Sequence, residues 1–313
     1  MQPINKGKQE GHYKSLNRFY GPLMTILNRQ DLEGITEPLR RIYSTNWDLC
    51  FKQWVDYVNI PMYDWTDVDK QSSHVLSLSS QNRPEVGFIY TPLHGSLDLV
   101  KLSRLKGEAS YEEIAKIPDP IRYFEGKPDN IKDIFMIYPL EAVGYEESIK
   151  SPYLDLLNEF RSSLRRDNAI FIIGYSLRDP IIGSIFEEVI AERIRKGDFS
   201  PLSKDIEARM SQTPEQQLKI FVINPEPLEL AENLRKQFNN NLLQTFIPLK
   251  LEFPKIDERF DENFKKTLFD LIVGLVTHRY LTTDAARRLV GIIYSRYGIG
   301  LSEDFPWKTS FAR

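Results

Sequence analysis

The sequence predicts an α/β protein, a doubly wound, Rossmann-like parallel sheet with a helical lead-in and a helical C-terminal extension. Three observations predict it. Short apolar runs recur, each followed by small or polar residues, and most lead into an amphipathic stretch. One run, Ala169-Ile170-Phe171-Ile172-Ile173, is continuously apolar, as parallel strands buried on both faces are. Ser151-Pro152 and Asp179-Pro180 supply the cap and first-turn proline with which helices begin.

Taken in order, residues 1–38 read as a helical lead-in, because no strand-and-glycine opening stands there. Residues 39–254 read as the Rossmann-type domain. Its first strand is Arg41 to Ser44, followed by Thr45-Asn46-Trp47-Asp48 and a helix with Phe51, Trp54, Val55 and Val58 on one face. Its second, Gly87 to Thr91, runs into Pro92-Leu93-His94-Gly95-Ser96. Residues 97–134, polar and broken by Pro118-Asp119-Pro120 and Lys127-Pro128-Asp129, read as an insertion or cap beside the site. A helix with Tyr153, Leu156, Leu157, Phe160 and Leu164 on one face precedes the strand 169–173. That strand stops at Gly174-Tyr175-Ser176, and the next helix turns Ile182, Ile185, Phe186, Val189 and Ile190 inward. The fourth strand, Ile220 to Ile223, leads through Asn224-Pro225-Glu226-Pro227 into a helix with Leu230, Ala231 and Leu234 inward. Residues 255–313 form the helical extension, with Phe264, Leu268, Leu271, Ile272 and Leu275, then Thr282 to Tyr297. It is either a packing appendage or an oligomerisation element.

Composition narrows the function. The 41 basic and 44 acidic residues leave a formal charge of -3, so no whole-chain basic footprint for nucleic acid exists. No apolar run approaches the roughly 20 residues of a membrane helix, and the opening MQPINKGKQEGHYK has no apolar core of a secretory signal. Cys50 is the only cysteine, which excludes an internal disulfide and a four-cysteine zinc site. The expectation is a cytoplasmic protein without membrane or direct nucleic-acid binding.

In doubly wound sheets, ligands bind beyond the carboxyl ends of the strands. Asn46, His94, Gly174 to Ser176 and Asn224 each follow a strand, so they are expected to gather on one sheet edge. An Asn amide both donates and accepts, which suits Asn46 to orienting a polar ligand. An imidazole has an ordinary pKa of about 6.5, which suits His94 to general-base work. The competing readings are structural. Asn46 and Asp48 stand where a helix cap is needed, and Asp48 reads as mostly structural. Asp179 and Glu226 are cap candidates, and His12, His74 and His278 read as structural or surface residues. Ser176 is no nucleophile elbow, because Arg178 stands where that motif needs glycine. Glu146-Glu147 and Glu187-Glu188 lack metal-ligand spacing, and no metal is expected.

Read together, Thr45-Asn46-Trp47-Asp48, Leu93-His94-Gly95-Ser96, Gly174-Tyr175-Ser176-Leu177-Arg178-Asp179-Pro180 and Val222-Ile223-Asn224-Pro225-Glu226 resemble the sirtuin-like family. The resemblance spans residues 40 to 230 and points to the bacterial and archaeal branch without a zinc ribbon. It implies catalytic roles for Asn46 and His94 on NAD, and NAD contacts from Thr45, Asp48, Gly95, Gly174, Tyr175, Ser176, Asn224 and Glu226. Gly174 and Ser176 would admit the adenosine half, and Asn224 would meet the adenine ribose. It further implies an NAD-depleting effector of anti-phage defence, within a homo-oligomer or beside a sensor partner. The family opens with a strand and a Gly-Ala-Gly-x-Ser loop that holds the NAD diphosphate; nothing before Asn46 matches it, and Gly298-Ile299-Gly300 follows a helix instead. The expectation is a fragment or split gene, against a loop supplied by another subunit or a degenerate protein.

The expected activity is hydrolysis of the nicotinamide–ribose bond of NAD. The alternative is an inactive module that binds NAD or ADP-ribose and regulates a partner. A deacylase ranks below both, because the acyl-lysine groove needs a zinc ribbon that one cysteine cannot build.

Overall fold

The computed structural model describes residues 6–28, 41–46, 49–64, 88–106, 109–117, 131–136, 153–167, 169–195, 218–238, 246–250, 262–277 and 280–301. Among them are seven helices and nine strands, a mixed α/β protein with small parallel sheets. The chain divides into two compact units, one of residues 1–16 and 39–162, the other of residues 17–38 and 163–313. Helix α1, Lys6–Asn28, contributes its first turns to one and its remainder to the other.

In the first unit, β1 (Arg41–Ser44), β2 (Met62–Asp64) and β3 (Phe88–Pro92) form a parallel sheet in the order β1-β3-β2. The central strand, β3, is buried at all five residues, because sheet neighbours flank it on both edges. Helix α2, Cys50–Tyr57, follows β1 and buries Trp54 and Val55 as its apolar spacing predicts. It also buries Lys52, which the apolar pattern did not anticipate. The Phe51 ring stacks on Tyr90 with centroids 5.7 Å apart.

After β3 the chain does not enter a helix. Leu93 and His94 form a tight turn, and β4 (Gly95–Lys106) runs back to pair antiparallel with β5 (Ala109–Lys116) and β6 (Ile131–Met136) in the order β5-β4-β6. Most of this second sheet lies in the stretch 97–134. The reversal comes from Gly95, whose φ of 82° belongs to the left-handed region open to glycine. Helix α3, Tyr153–Arg166, places Tyr153 against Phe135 (centroids 4.2 Å) and Phe160 against Tyr43 (5.1 Å).

In the second unit, β7 (Ala169–Ile173), β8 (Lys219–Asn224) and β9 (Phe246–Lys250) form a parallel sheet in the order β7-β8-β9. The apolar run 169–173 is not the doubly buried strand that its composition suggests. Only Ile172 is buried, because β7 is the edge of the described sheet, whereas Ile220 to Ile223 on central β8 have no exposed surface. Strand β9 has no counterpart among the strands expected from sequence. Its Pro248, which has no N–H to donate, is tolerated on an edge strand. Helices α4 (Pro180–Arg195) and α5 (Pro227–Gln237) follow β7 and β8, and α4 buries Ile182, Ile185, Phe186, Val189 and Ile190 as expected. Arg193, 4% exposed, donates from one guanidinium nitrogen to the carbonyls of Leu164 (2.8 Å) and Asp167 (2.7 Å). A buried cation thereby satisfies carbonyls at the end of α3 that the helix itself leaves open.

Helices α6 (Glu262–Thr277) and α7 (Thr283–Tyr297) complete this unit; α6 buries Phe264, Leu268, Leu271, Ile272 and Leu275 as expected, and α7 buries Ala285, Ala286, Leu289, Val290 and Ile293. At the start of α7, the Thr282 hydroxyl accepts the Ala285 N–H at 3.1 Å; at its end, Gly298 takes φ 68°. Gly298 is thus a left-handed helix terminator, not part of a phosphate loop. Thr282→Ala is expected to cost about 0.5–2 kcal/mol. Chemical denaturation reads this directly, and an unchanged midpoint would deny the cap any weight.

Candidate functional site

The first unit brings two of the expected segments together. Strands β1 and β3 are hydrogen-bonded neighbours running parallel, so their carboxyl ends meet, and Ser44 lies opposite Pro92. Beyond the ladder, Leu93 N–H donates to the Ser44 carbonyl at 2.8 Å. The segment with Thr45 and Asn46 is therefore tied to the turn with His94 and Gly95. The Ser44 hydroxyl accepts the Asn46 N–H at 3.1 Å, a local turn that leaves Asn46 exposed and Thr45 half-buried. His94 is half-buried at the turn, flanked by buried Leu93 and Gly95.

The capping role weighed for Asn46 is not the one it plays. The cap position of α2 is Leu49, with no side-chain cap bond. Asp48, His74 and His278, together with Ser151-Pro152, lie outside the described residues, as do the carboxylates Glu146-Glu147.

Between α2 and β4 lies a polar pair that sequence reasoning missed. The Lys52 ammonium donates to both carboxylate oxygens of Asp98 at 2.9 Å, and the two side chains are 6% and 7% exposed. The same nitrogen sits 5.3 Å from the centroid of the Tyr90 ring. One signal could have found it: Lys52 lies three residues before Val55, inside the apolar arc of α2. Ser96, also fully buried, has a hydroxyl without a hydrogen-bond partner in the structure.

The second unit carries the other two segments, again at adjacent parallel strand ends. Gly174 N–H donates to the Ile223 carbonyl at 2.9 Å, tying the loop after β7 to the end of β8. Gly174 takes φ 63° and Leu177 φ 57°, so the loop 174–179 winds through two left-handed residues. For Leu177 that conformation costs roughly 1–2 kcal/mol. Asp179 holds the loop at its far end, because its Oδ1 accepts the N–H groups of Ile181 (2.9 Å) and Ile182 (2.8 Å). Asp179 is therefore the cap of α4. Gly174 and Ser176 are exposed, and Tyr175 is half-buried. After β8, the Asn224 side-chain oxygen accepts the Glu226 N–H at 3.3 Å. Glu226 occupies the cap position of α5 but makes no side-chain cap bond.

Burial, reinforced by the negative charge of Asp179, pushes the Tyr175 phenol above its ordinary range; the Asp179 backbone amide acts weakly the other way. The hydroxyl oxygen is buried and makes no well-formed hydrogen bond, with the Asp179 backbone amide the polar group facing it. Removing an unsatisfied polar atom relieves its desolvation cost of about 1–3 kcal/mol. Tyr175→Phe is therefore expected to leave stability unchanged or raised, as the denaturant midpoint would report. A clear loss would mean that the hydroxyl has a partner.

A shallow cavity of about 460 Å³ lies along α7, lined by Arg288, Gly291, Ile292, Ser295 and Arg296, and none of the expected site residues borders it. Among the described residues no group of three or more His, Cys, Asp or Glu could hold a metal ion, and no helix is long and apolar enough to cross a membrane. Neither a family model nor a curated protein matches the chain.

Proposed function

We propose that the chain is a sirtuin-like protein that hydrolyses the nicotinamide–ribose bond of NAD. The observation that supports this reading best is the Leu93 to Ser44 hydrogen bond, which joins two parallel strand ends directly before His94 and Asn46. An amide and an imidazole held beyond adjacent parallel strands stand where such sheets bind ligands. In the reaction, a water oxygen bonds to the ribose carbon as the bond to the pyridinium nitrogen breaks. The electron pair of that bond leaves with nicotinamide, which departs neutral, so no strong general acid is needed. Asn46 orients the ribose and the water through its donor and acceptor atoms. His94 takes the proton released by the water.

The resemblance alone extends the reading. It assigns Gly174 and Ser176 to the adenosine half and Asn224 to the adenine ribose. It assigns further NAD contacts to Thr45, Asp48, Gly95, Tyr175 and Glu226. It also carries a role as an anti-phage effector and a homo-oligomer or sensor partner, while the doubly wound fold and a cytoplasmic setting rest on the strand–helix alternation and the composition.

The test is nicotinamide release by the full chain. His94→Ala is expected to lower turnover by about 10²–10⁴-fold, the usual weight of a general base, and Asn46→Ala should also lower it sharply. Turnover unchanged in both variants would overturn the assignment. NAD or ADP-ribose binding without turnover would turn the reading toward a sensor module, and absence of both would overturn NAD handling by this chain.

A further inference from the structure

We infer that the buried Lys52–Asp98 ion pair is a positioning device for His94, an inference that rests on reading His94 as the base. Three observations place it there. Asp98 lies four residues after His94 on β4, and Tyr90 lies four residues before it on β3. Lys52, from α2, touches both, with its ammonium 2.9 Å from each Asp98 carboxylate oxygen and 5.3 Å from the Tyr90 ring centroid. One side chain thus grips the two strands on either side of the turn that carries His94. The same helix begins four residues after Asn46, so the grip links both segments of the candidate site.

Stability alone does not account for such a pair. Withdrawing two charges from water offsets most of their attraction, and apolar side chains of similar volume do as well or better. What an ammonium–carboxylate contact supplies, and an apolar pair does not, is the requirement that one particular group of α2 stay within hydrogen-bond reach of one particular group of β4. The backbone of the turn is held at both ends, and the ion pair adds a side-chain constraint. The upstream side of the turn is anchored by the Leu93 to Ser44 hydrogen bond. On its downstream side Gly95 pairs with Met136 of β6, the Ser96 hydroxyl is buried without a partner, and Asp98 is the first residue whose side chain makes a polar contact with another element. Lys52 and Asp98 act through His94 and are positioning residues, not catalytic ones.

The test compares the parent chain with the apolar pair Lys52→Met/Asp98→Leu, both labelled with ¹³C-histidine. His94 is identified by the ring resonance that disappears in His94→Ala. In the folded double variant, that resonance is expected to broaden or split, while those of His12, His74 and His278 stay in place. The nicotinamide-release kcat should fall by about 10²-fold, as expected for a displacement of roughly 1 Å, with KM nearly unchanged. A His94 resonance that remains single and sharp in a folded double variant overturns the inference and leaves the pair a packing feature. Should the first apolar pair fail to fold, a second apolar pair, Lys52→Leu/Asp98→Val, answers the same question by the same spectrum. If the parent chain releases no nicotinamide, the reading of His94 as base fails by itself, and the resonance still decides whether the pair positions the ring.

Discussion

Lys52→Met alone is expected to destabilise the protein by about 3–5 kcal/mol, the usual result of removing one partner from a buried ion pair. The substitution keeps most of the side-chain volume and removes the charge, so packing around α2 is nearly conserved. What remains is the Asp98 carboxylate, 7% exposed, without the ammonium that both of its oxygens accept from. Its hydration is gone and nothing replaces it. The Lys52→Met/Asp98→Leu double variant should recover most of the loss, because it removes the orphaned charge as well. Urea denaturation of the parent, the single and the double variant measures both effects, with the midpoints compared at constant slope. A single variant as stable as the parent would show that water reaches Asp98 in solution. A double variant as unstable as the single would show that the contact supplies more than charge compensation.

Gly95→Ala is expected to cost about 2–5 kcal/mol, with two sources. A residue with a Cβ at φ 82° pays roughly 1–2 kcal/mol for the left-handed conformation. The new methyl group would also overlap the backbone carbonyl of Phe135 on β6, which a side-chain rotation cannot relieve. Forcing extra volume into a packed site adds about 1–3 kcal/mol. The turn would have to open, so His94 would move with it. Nicotinamide release should fall together with stability, unlike in the double variant at positions 52 and 98. Thermal unfolding followed by circular dichroism would sink this account if the midpoint of Gly95→Ala matched that of the parent chain.

Both predictions concern residues that the sequence left in the background, and the reason is physical. His94 and Asn46 are visible because they are polar residues directly after short apolar runs, and strand ends are where sheets present chemistry. Gly95 is visible only as a neighbour in that motif. Its need for a left-handed φ, and the closeness of Phe135, depend on a strand pairing 41 residues further along the chain. Lys52 and Asp98 look like ordinary surface charges until α2 and β4 are placed together.

Helix identity was the most legible feature. The apolar faces of α4 and α6 follow a 3.6-residue period, and every residue expected inward on them is buried. The caps were legible in part: Asp179 before Pro180 is a cap, whereas the cap position of α2 falls on Leu49 and leaves Asn46 exposed. Strand burial was not legible. The run 169–173 is as apolar as 220–223, yet only the second is wholly buried, because burial depends on having neighbours on both edges. The stretch 97–134 was equally opaque: antiparallel strands β4, β5 and β6 carry many polar residues, and although β5 follows β4 directly, β6 pairs across a longer gap, with Val100 opposite Ile134.

The sequence by itself determined the α/β class, the helix faces and the polar segments that follow the strands, because those depend on local periodicity and on residue chemistry. Only the tertiary structure decided which strand is central, that the chain reverses at Gly95, and that Lys52 meets Asp98. These are set by pairings between distant segments, and the free energy of such a contact belongs to two residues at once.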